Sequence, residues 1–442
     1  MTEPAPTASL YADHVATLRA RYESAAARFG FEVAVIGSGV LQYRYLDDQA
    51  HRYVASPHFL QWAPLQIHPG SAVIFEPGRR PILAVLRPED YWHQPPPVPP
   101  ELIAGQFELR IVHEPGEIPA LLPADKHRRV ILGPAEQWAG ALPEAERNPE
   151  PLVSYLHFHR ACKTGWEVAC VRQAAAIAAP GHCAAERAFH AGASEFDILA
   201  AFLAACRQTE AELPYEAIVA LDEHGATLHY QHRDRAPDSG RASGSLLIDA
   251  GCSHNGYACD ITRSYARHDG EFARMIADMD RLQRRLCAGV RPGVAFPDLH
   301  RRCHLETAAL LRDWGLVRME PDEMVAAGVS FAFFPHGLGH LLGLQVHDVG
   351  GHMADDRGTP LEPPADFPKL RFLRTLEPGQ IVTIEPGVYF IDSLLERLRS
   401  GAHARQVDWT AIGRLRGFGG IRIEDDVLVT ADGSENLTRP LL

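Results

Sequence analysis

The stretch Phe331–Gly350, FAFFPHGLGHLLGLQVHDVG, decides how the rest of the chain is read. It sets three histidines, His336, His340 and His347, within twelve residues, broken up by Pro335, Gly337, Gly339 and Gly343. Two histidines four apart can share a helix face and hold a metal there. Here no Glu follows the first histidine. Glycines lie between the pair, and each costs about 1 kcal/mol in a helix interior. The stretch is therefore expected to be a loop or strand edge that bends sharply and turns imidazoles inward. A Gly-rich turn with incidental histidines is the plain alternative, and acids elsewhere in the chain decide between the two.

Four acids sit in matching surroundings. SLLIDAG carries Asp249 and GYACDITRSY carries Asp260, and the SHNGY between them has the Asn-Gly signature of a hairpin turn. A hairpin brings the two carboxylates side by side. There they repel, and one stays protonated unless a cation lies between them. Further on, IVTIEPG carries Glu385 at a strand end and GGIRIEDDVLV carries Glu424. Asp-Ala-Gly and Glu-Pro-Gly share one form, which reads as a faint internal duplication with two acids per half. In IRIED, strand alternation puts Arg422 and Glu424 on one face and Ile421 and Ile423 on the other.

The four acids together carry a charge of about -4. One divalent ion leaves half of that uncompensated, whereas two balance it, and His340 adds a neutral nitrogen. A carboxylate-rich set with one imidazole suits manganese, cobalt or zinc and excludes soft copper sites. Two such ions about 3.5–4 Å apart can share a hydroxide that attacks an acyl or phosphoryl centre without a Ser or Cys nucleophile.

With 442 residues the chain is too long for one ordinary core, so two domains are expected. Its 46% hydrophobic and 22% charged residues describe a soluble globular protein. No apolar run approaches eighteen residues, so no membrane span is expected. MTEPAPTASLYADHV lacks the basic start and apolar core of a secretory signal. A net charge of -13 disfavours nucleic acid and anionic membranes as partners. The eight cysteines form no C-x-x-C pair, and Cys162 is the first of them. Scattered thiols of this kind suit a reducing, cytoplasmic location.

Residues 10–29 have helical spacing and end at Gly30. The apolar runs VAVIG, SAVIF, PILAVL, ELRIV and RVILG, starting at Val33, Ser71, Pro81, Glu108 and Arg129, have the length and β-branched content of buried strands. An α/β layer domain over 1–150 follows. PPPVPP at 95–100 is expected to be an extended surface loop. Pro149-Glu150-Pro151 marks a junction, and 150–193 read as helical. From there helices alternate with hairpin-like strands, giving an α+β domain over 151–442. On the helix expected at 298–311, His300, Cys303 and His304 share a face. No further ligand lies near them, so they read as core or helix-surface residues.

On the residues just quoted, the chain resembles the pita-bread metallopeptidases, the group holding prolidase, aminopeptidase P, methionine aminopeptidase and metal-free creatinase. The ligand order Asp, Asp, His, Glu, Glu is present as Asp249, Asp260, His340, Glu385 and Glu424. The resemblance runs along essentially the whole chain, from SLYADHVATL through FLQWAPL to GFGGIRIEDDV. It is strongest to the bacterial Xaa-Pro dipeptidase (prolidase) subfamily, which includes the organophosphorus acid anhydrolases. The resemblance implies a creatinase/prolidase-type α/β N-terminal domain, active in oligomerisation and at the substrate site, and a pita-bread α+β catalytic domain.

The resemblance also implies two divalent ions per subunit, manganese first and cobalt or zinc as alternatives, and a homodimer. Asp249 would chelate one metal, Asp260 and Glu424 would bridge both, and His340 and Glu385 would complete the second. Glu385 would also take up the proton of the attacking hydroxide. His229, in ATLHYQH, matches a histidine beside the substrate. His336 and His347 match the two that steady the tetrahedral intermediate. Arg422 would hold the substrate carboxylate. Tyr215, in LPYEAIVA, matches a pocket-lining tyrosine. Asp48, in YRYLDDQAHRY, matches an acid that reaches the neighbouring subunit's site and meets the dipeptide amine. The QAHRYVASPHF after Asp48 departs from the more aromatic, proline-containing stretch of relatives, which bears on that last contact alone.

The expected activity is hydrolysis of Xaa-Pro dipeptides, with phosphotriester hydrolysis as a side activity. An aminopeptidase P cutting longer peptides is the competing enzyme reading. A non-catalytic binding protein on the same fold is the competing reading of another class, and the complete ligand set speaks against it.

Overall fold

The computed structural model describes residues 8–134, 136–138, 140–236 and 244–442. The first seven residues of MTEPAPTASLYADHV therefore lie outside the described residues. Two compact units divide the chain. The first takes residues up to Cys170 together with His254–Tyr257 and Asp355–Thr359. The second takes Val171–Ser253, Ala258–Ala354 and Pro360–Leu442.

The first unit opens with α1 (Ala8–Phe29), which buries Tyr11, Val15, Leu18 and Tyr22 on one face. It stops at Gly30, where φ of +78° is a left-handed cap that glycine adopts without steric cost. Then follow β1 (Val33–Gly37), α2 (Pro57–Trp62), β2 (Ala72–Phe75), β3 (Ile82–Leu86), α3 (Glu101–Ala104), β4 (Glu108–Val112), α4 (Glu117–Ala120), β5 (Arg129–Leu132), β6 (Glu146–Arg147) and α5 (Glu150–Arg160). The five apolar runs of the sequence are thus five strands. With β6 they form one six-stranded mixed sheet in the order β4-β3-β2-β1-β5-β6. β1 runs antiparallel to β2 and parallel to β5. Every residue of β1 and β2 is buried, which explains their unbroken apolar runs. The segment 95–100 has no regular structure, and Pro149 caps the start of α5.

The chain continues through α6 (Gly165–His190), α7 (Glu195–Cys206), β7 (Ile218–Leu221), β8 (Ser245–Asp249), β9 (Ser253–His254), β10 (Tyr257–Ala258) and β11 (Thr262–Ala266). Next come α8 (Glu271–Cys287), α9 (Phe296–Asp313), α10 (Pro321–Ala326), β12 (Ile381–Ile384), β13 (Gly387–Tyr389), α11 (Asp392–Ser400), α12 (Trp409–Leu415), β14 (Gly420–Arg422), β15 (Asp425–Val429) and β16 (Ser434–Asn436). Short sheets β11-β8-β7, β12-β15-β16 and β13-β14 carry the acids. Between β9 and β10, Asn255 and Gly256 take φ of +53° and +85°, the paired positive values of a type I′ turn.

The suspected duplication has a structural counterpart. β8 ends on Asp249 and pairs antiparallel with β11, which begins two residues after Asp260. β12 ends one residue before Glu385 and pairs antiparallel with β15, which begins one residue after Glu424. An isolated antiparallel bridge, Thr262 to Glu424, ties one strand pair to the other. Among the described residues, no helix is long and apolar enough to cross a membrane.

Candidate metal centre

Each acid of the quartet is placed by a strand end. Thr262 sits opposite Asp249 in the β8–β11 register, and the amide of Glu424 donates to Thr262 O at 3.0 Å. Carboxylates from both strand pairs therefore meet at one end of the second unit. Asp260, Glu424 and His340 are buried, and Asp249 and Glu385 are partly so.

The histidine stretch lies along the edge of β12. Thr383 N donates to His340 O at 3.0 Å, Leu342 N to Ile381 O at 3.0 Å and Glu385 N to Leu338 O at 2.9 Å. The Thr383 hydroxyl also accepts from His340 N at 3.1 Å. The approach is close enough that a Cβ on Gly339 would fall 1.9 Å from Thr383 O. This is the inward-bent strand edge that the glycines implied. His340 Nε2 comes within 3.5 Å of Asp260 Oδ2 and 3.7 Å of Glu385 Oε1.

Electrostatics mark the cluster as short of cations. Burial, with Asp260, Glu385 and Asp249 adding to it, pushes Glu424 well above the carboxylate range. Burial raises Asp249 against the pull of Arg422, and raises Glu385 to about 7. Asp260 goes the other way: burial would raise it, but its bond to His340 and that ring's charge hold it down. His340 is raised in turn, because Asp260 and Glu385 outweigh its desolvation. Asp249 Oδ1 is buried with no hydrogen-bond partner. Asp260, His340 and Glu424 offer ligand atoms within 4.8 Å of one another. Crowded carboxylates, one imidazole and an orphaned buried oxygen fit a site for hard or borderline divalent ions.

Arg422 is 4% exposed and sits inside this cluster. It donates from Nη2 to Asp249 Oδ2 at 2.7 Å, from Nη1 to the Tyr389 hydroxyl at 2.8 Å and from Nε to the Thr262 hydroxyl at 3.1 Å. Thr262 in turn donates a hydrogen bond from its hydroxyl to Glu424 Oε2 at 2.6 Å. Tyr389 lies 2.8 Å from His336 Nε2, while His336 Nδ1 lies 2.8 Å from Gly337 O. A carbonyl can only accept, so Nδ1 carries the proton and Nε2 accepts from Tyr389. Burial and then Arg422 push His336 down to about 3, which keeps that ring neutral. Tyr215 donates to Asp260 Oδ1 at 2.6 Å.

His347 stands edge-on to His340, with ring centroids 4.4 Å apart, and is itself exposed. Burial, and then His340, push His347 down to about 4. His229 is also exposed. Asp48 belongs to the first unit. It is exposed on a loop closed by the Tyr43–Ala50 bridge, two residues after Leu46 at φ +55°.

A sequence profile described as "Metallopeptidase family M24" matches residues 169–431. The chain belongs to metallopeptidase family M24. The profile "Xaa-Pro dipeptidase, N-terminal domain" matches residues 9–158. The chain is similar to "Xaa-Pro dipeptidase" of Stenotrophomonas maltophilia (strain R551-3), at 47% identity over 98% of this chain and 97% of the relative. It is similar to "Xaa-Pro dipeptidase" of Xanthomonas oryzae pv. oryzae (strain MAFF 311018), at 46% identity over 100% and 99%. Among solved structures it resembles the Pseudomonas aeruginosa aminopeptidase PepP, with a TM-score of 0.74 and 25% identity over 98% of this chain and 95% of that one.

Several residues of this M24 centre escape a reading by motif. Tyr389, Thr262 and Thr383 look like ordinary strand residues, and only their cross-strand partners reveal their parts. His300 is buried and its Nδ1 accepts from Leu338 N at 3.2 Å, steadying the chain between His336 and His340. His300, Cys303 and His304 are all buried core residues of α9. Asp425 collects Arg263, Arg439, Gln283, Asn436 and Thr438 behind Glu424. The signal for it was available: IRIED puts a second acid directly after the ligand, on the opposite strand face.

Proposed function

We propose that this M24 chain is a dinuclear Xaa-Pro dipeptidase. The convergence of Asp249, Asp260, His340, Glu385 and Glu424 around a cation-deficient point carries this reading. The relatives named Xaa-Pro dipeptidase, matched along their whole length, support its substrate class.

Asp249 would hold one ion, Asp260 and Glu424 both, and His340 and Glu385 the other, with manganese ahead of cobalt or zinc. When bound, the ion pair supplies an activated hydroxide and a Lewis acid for the scissile carbonyl. Glu385, partly buried beside His340, would take the nucleophile's proton and pass it to the proline nitrogen. Arg422 spends three of its five N–H donors on Asp249, Tyr389 and Thr262, and its remaining Nη protons meet the substrate carboxylate. His347 and His229 donate to the substrate and to the oxyanion as it forms. Neutral His336 lines the same cleft, its Nδ1 3.5 Å from Glu385 Oε2. Tyr215 fixes Asp260 and walls the pocket.

The N-terminal domain, taken as 1–150, serves a homodimer and lends Asp48 to the neighbouring subunit's site, where it meets the dipeptide amine. The eight cysteines are free thiols, which suits the cytoplasm. Phosphotriesters are a side substrate, since the same nucleophile reaches tetrahedral phosphorus.

The test is a panel of Xaa-Pro dipeptides on protein loaded separately with manganese, cobalt or zinc. Turnover that a chelator abolishes and metal restores is expected, and no turnover under any loading would sink the reading. The likeness to an aminopeptidase P favours one rival, release of the residue before proline from longer peptides. Faster cleavage of Arg-Pro-Pro than of Ala-Pro would select that rival.

A further inference from the structure

Glu195 is the first residue of α7, and its side chain is fully buried. Oε1 accepts from Leu221 N at 2.9 Å and His224 Nδ1 at 2.7 Å. Oε2 accepts from the Tyr230 hydroxyl at 2.9 Å and Asp234 N at 2.9 Å. All four donors come from one segment, residues 221–234. The next amide along α7 continues the attachment, with Phe196 N donating to Asp234 O at 3.1 Å. His224 stacks on Tyr230, with ring centroids 4.6 Å apart at 20°. At the start of the segment Asp222, at φ +52°, is tied by Oδ1 to the amides of Gly244 and Ser245.

Glu195, His224 and Asp234 also have the makings of a metal trio, with ligand atoms within 4.8 Å of one another. The hydrogen bonds argue otherwise. Each Glu195 oxygen already accepts two bonds, so its lone pairs are committed to the segment and none is left for an ion.

His229 lies on this segment, between two side chains that point away from it. Tyr230 is buried and Leu228 partly so, in a cluster with Ile218, Ala220, Leu247 and Tyr389. His229 is exposed, and the cluster its two neighbours enter includes Tyr389, which bonds His336 and Arg422 of the metal centre. The inward grip on Tyr230 and the outward presentation of His229 are therefore one arrangement. We propose that Glu195 is a positioning residue, a buried carboxylate clamp that fixes the 221–234 segment so that His229 reaches the substrate. A loop needing only to be tied down would not require four convergent donors on one buried acid, since leaving any of them unpaired is costly. The proposal rests on the dipeptidase reading of the metal centre.

The experiment compares Glu195→Gln and Tyr230→Phe, each in the wild-type and His229→Ala backgrounds, in full-length metal-loaded protein. Two readouts are used: kcat and KM on Ala-Pro, and hydrogen exchange of 221–234 followed by mass spectrometry. The expected results are a kcat loss of about tenfold for Tyr230→Phe, a larger loss for Glu195→Gln, and KM within about twofold. Exchange in 221–234 rises in both variants. Neither change costs more once His229 is already alanine, because residues acting through one another are non-additive. Losses that multiply in the double variants would overturn the proposal. So would unchanged exchange in 221–234, whatever the activity. If Glu195→Gln does not fold, Tyr230→Phe, which removes one bond of the four, decides the matter alone. A wild-type protein that cleaves no Xaa-Pro dipeptide would refute the dipeptidase reading instead, and the exchange measurement would still judge the clamp.

Discussion

Arg422 Nη2 stands 2.7 Å from Asp249 Oδ2, joining a strand of the second acid pair to the terminal acid of the first. The guanidinium gives one bond each to an acid, a phenol and a threonine and is nearly buried. Asp249 is thereby turned so that its other oxygen is left without a protein partner.

Replacing that guanidinium with an ammonium tests this geometry. Lysine is a point charge and cannot span Asp249, Tyr389 and Thr262 together. Arg422→Lys should lower kcat/KM on Ala-Pro at least about 100-fold, roughly the cost of breaking a buried charged pair. Steady-state kinetics with the metal content measured in parallel would separate lost substrate binding from lost metal.

Tyr389 bonds both Arg422 and His336 and so links them. Tyr389→Phe removes the proton that His336 Nε2 accepts and the oxygen that Arg422 donates to. A loss of about 1–3 kcal/mol is expected, because two buried groups are left unsatisfied. The reading is in kcat, about 10- to 100-fold lower, with the fold unchanged by circular dichroism. Wild-type kcat in this variant would remove Tyr389 from the account.

Gly339→Ala tests the packing of the histidine strand against β12. The new methyl would fall 1.9 Å from Thr383 O, so one backbone must move. His340 moves with it, and metal affinity should drop by at least about tenfold, as for a displaced ligand support. Titration of the chelated protein with manganese measures this directly.

The ion-free protein should show an unusual pH dependence. Glu385 rises from its ordinary 4.5 to about 7, so the folded state holds a proton that the unfolded state releases between those values. The associated stability is complete below about 4.5 and is lost as pH rises through 7. Thermal melts of chelated protein should therefore fall between pH 5 and pH 7.5. Added manganese should reverse the trend, since the metal competes with that proton and binds better as pH rises.

Asp425 behaves in the opposite sense. Burial opposes its ionisation, yet Arg263 and then Arg439 hold it down to about 2. Its stabilisation is present above the ordinary 3.8 and is lost as pH falls toward 2. Asp425→Asn leaves two arginines facing a neutral group and should cost about 3–5 kcal/mol, read as a lower midpoint in urea.

Much of this was legible in the residues themselves. Four of the five runs became buried strands, β1, β2, β3 and β5, because their apolar residues lie in the middle of the sheet. ELRIV did not: as the edge strand β4 it exposes Arg110 and buries only Val112. The Asn255-Gly256 turn was readable because few other pairs adopt two positive φ values cheaply. The four acids stood out because carboxylates at the ends of apolar strands are costly without a cation, and His340 stood out among the glycines of its stretch. The supports did not stand out. Thr262, Thr383, Tyr389 and His300 have no local signature, since each acts through a partner far away in sequence.

The sequence alone, then, pointed to the strands, the turn and the acids that the fold gathers, because burial and charge act residue by residue. The tertiary structure alone decided that Arg422 faces Asp249, that Tyr389 bonds both Arg422 and His336, and that Glu195 grips the segment carrying His229. Those are pairings across sheets and loops, and a pairing has no energy until the fold has brought both partners within about 3 Å.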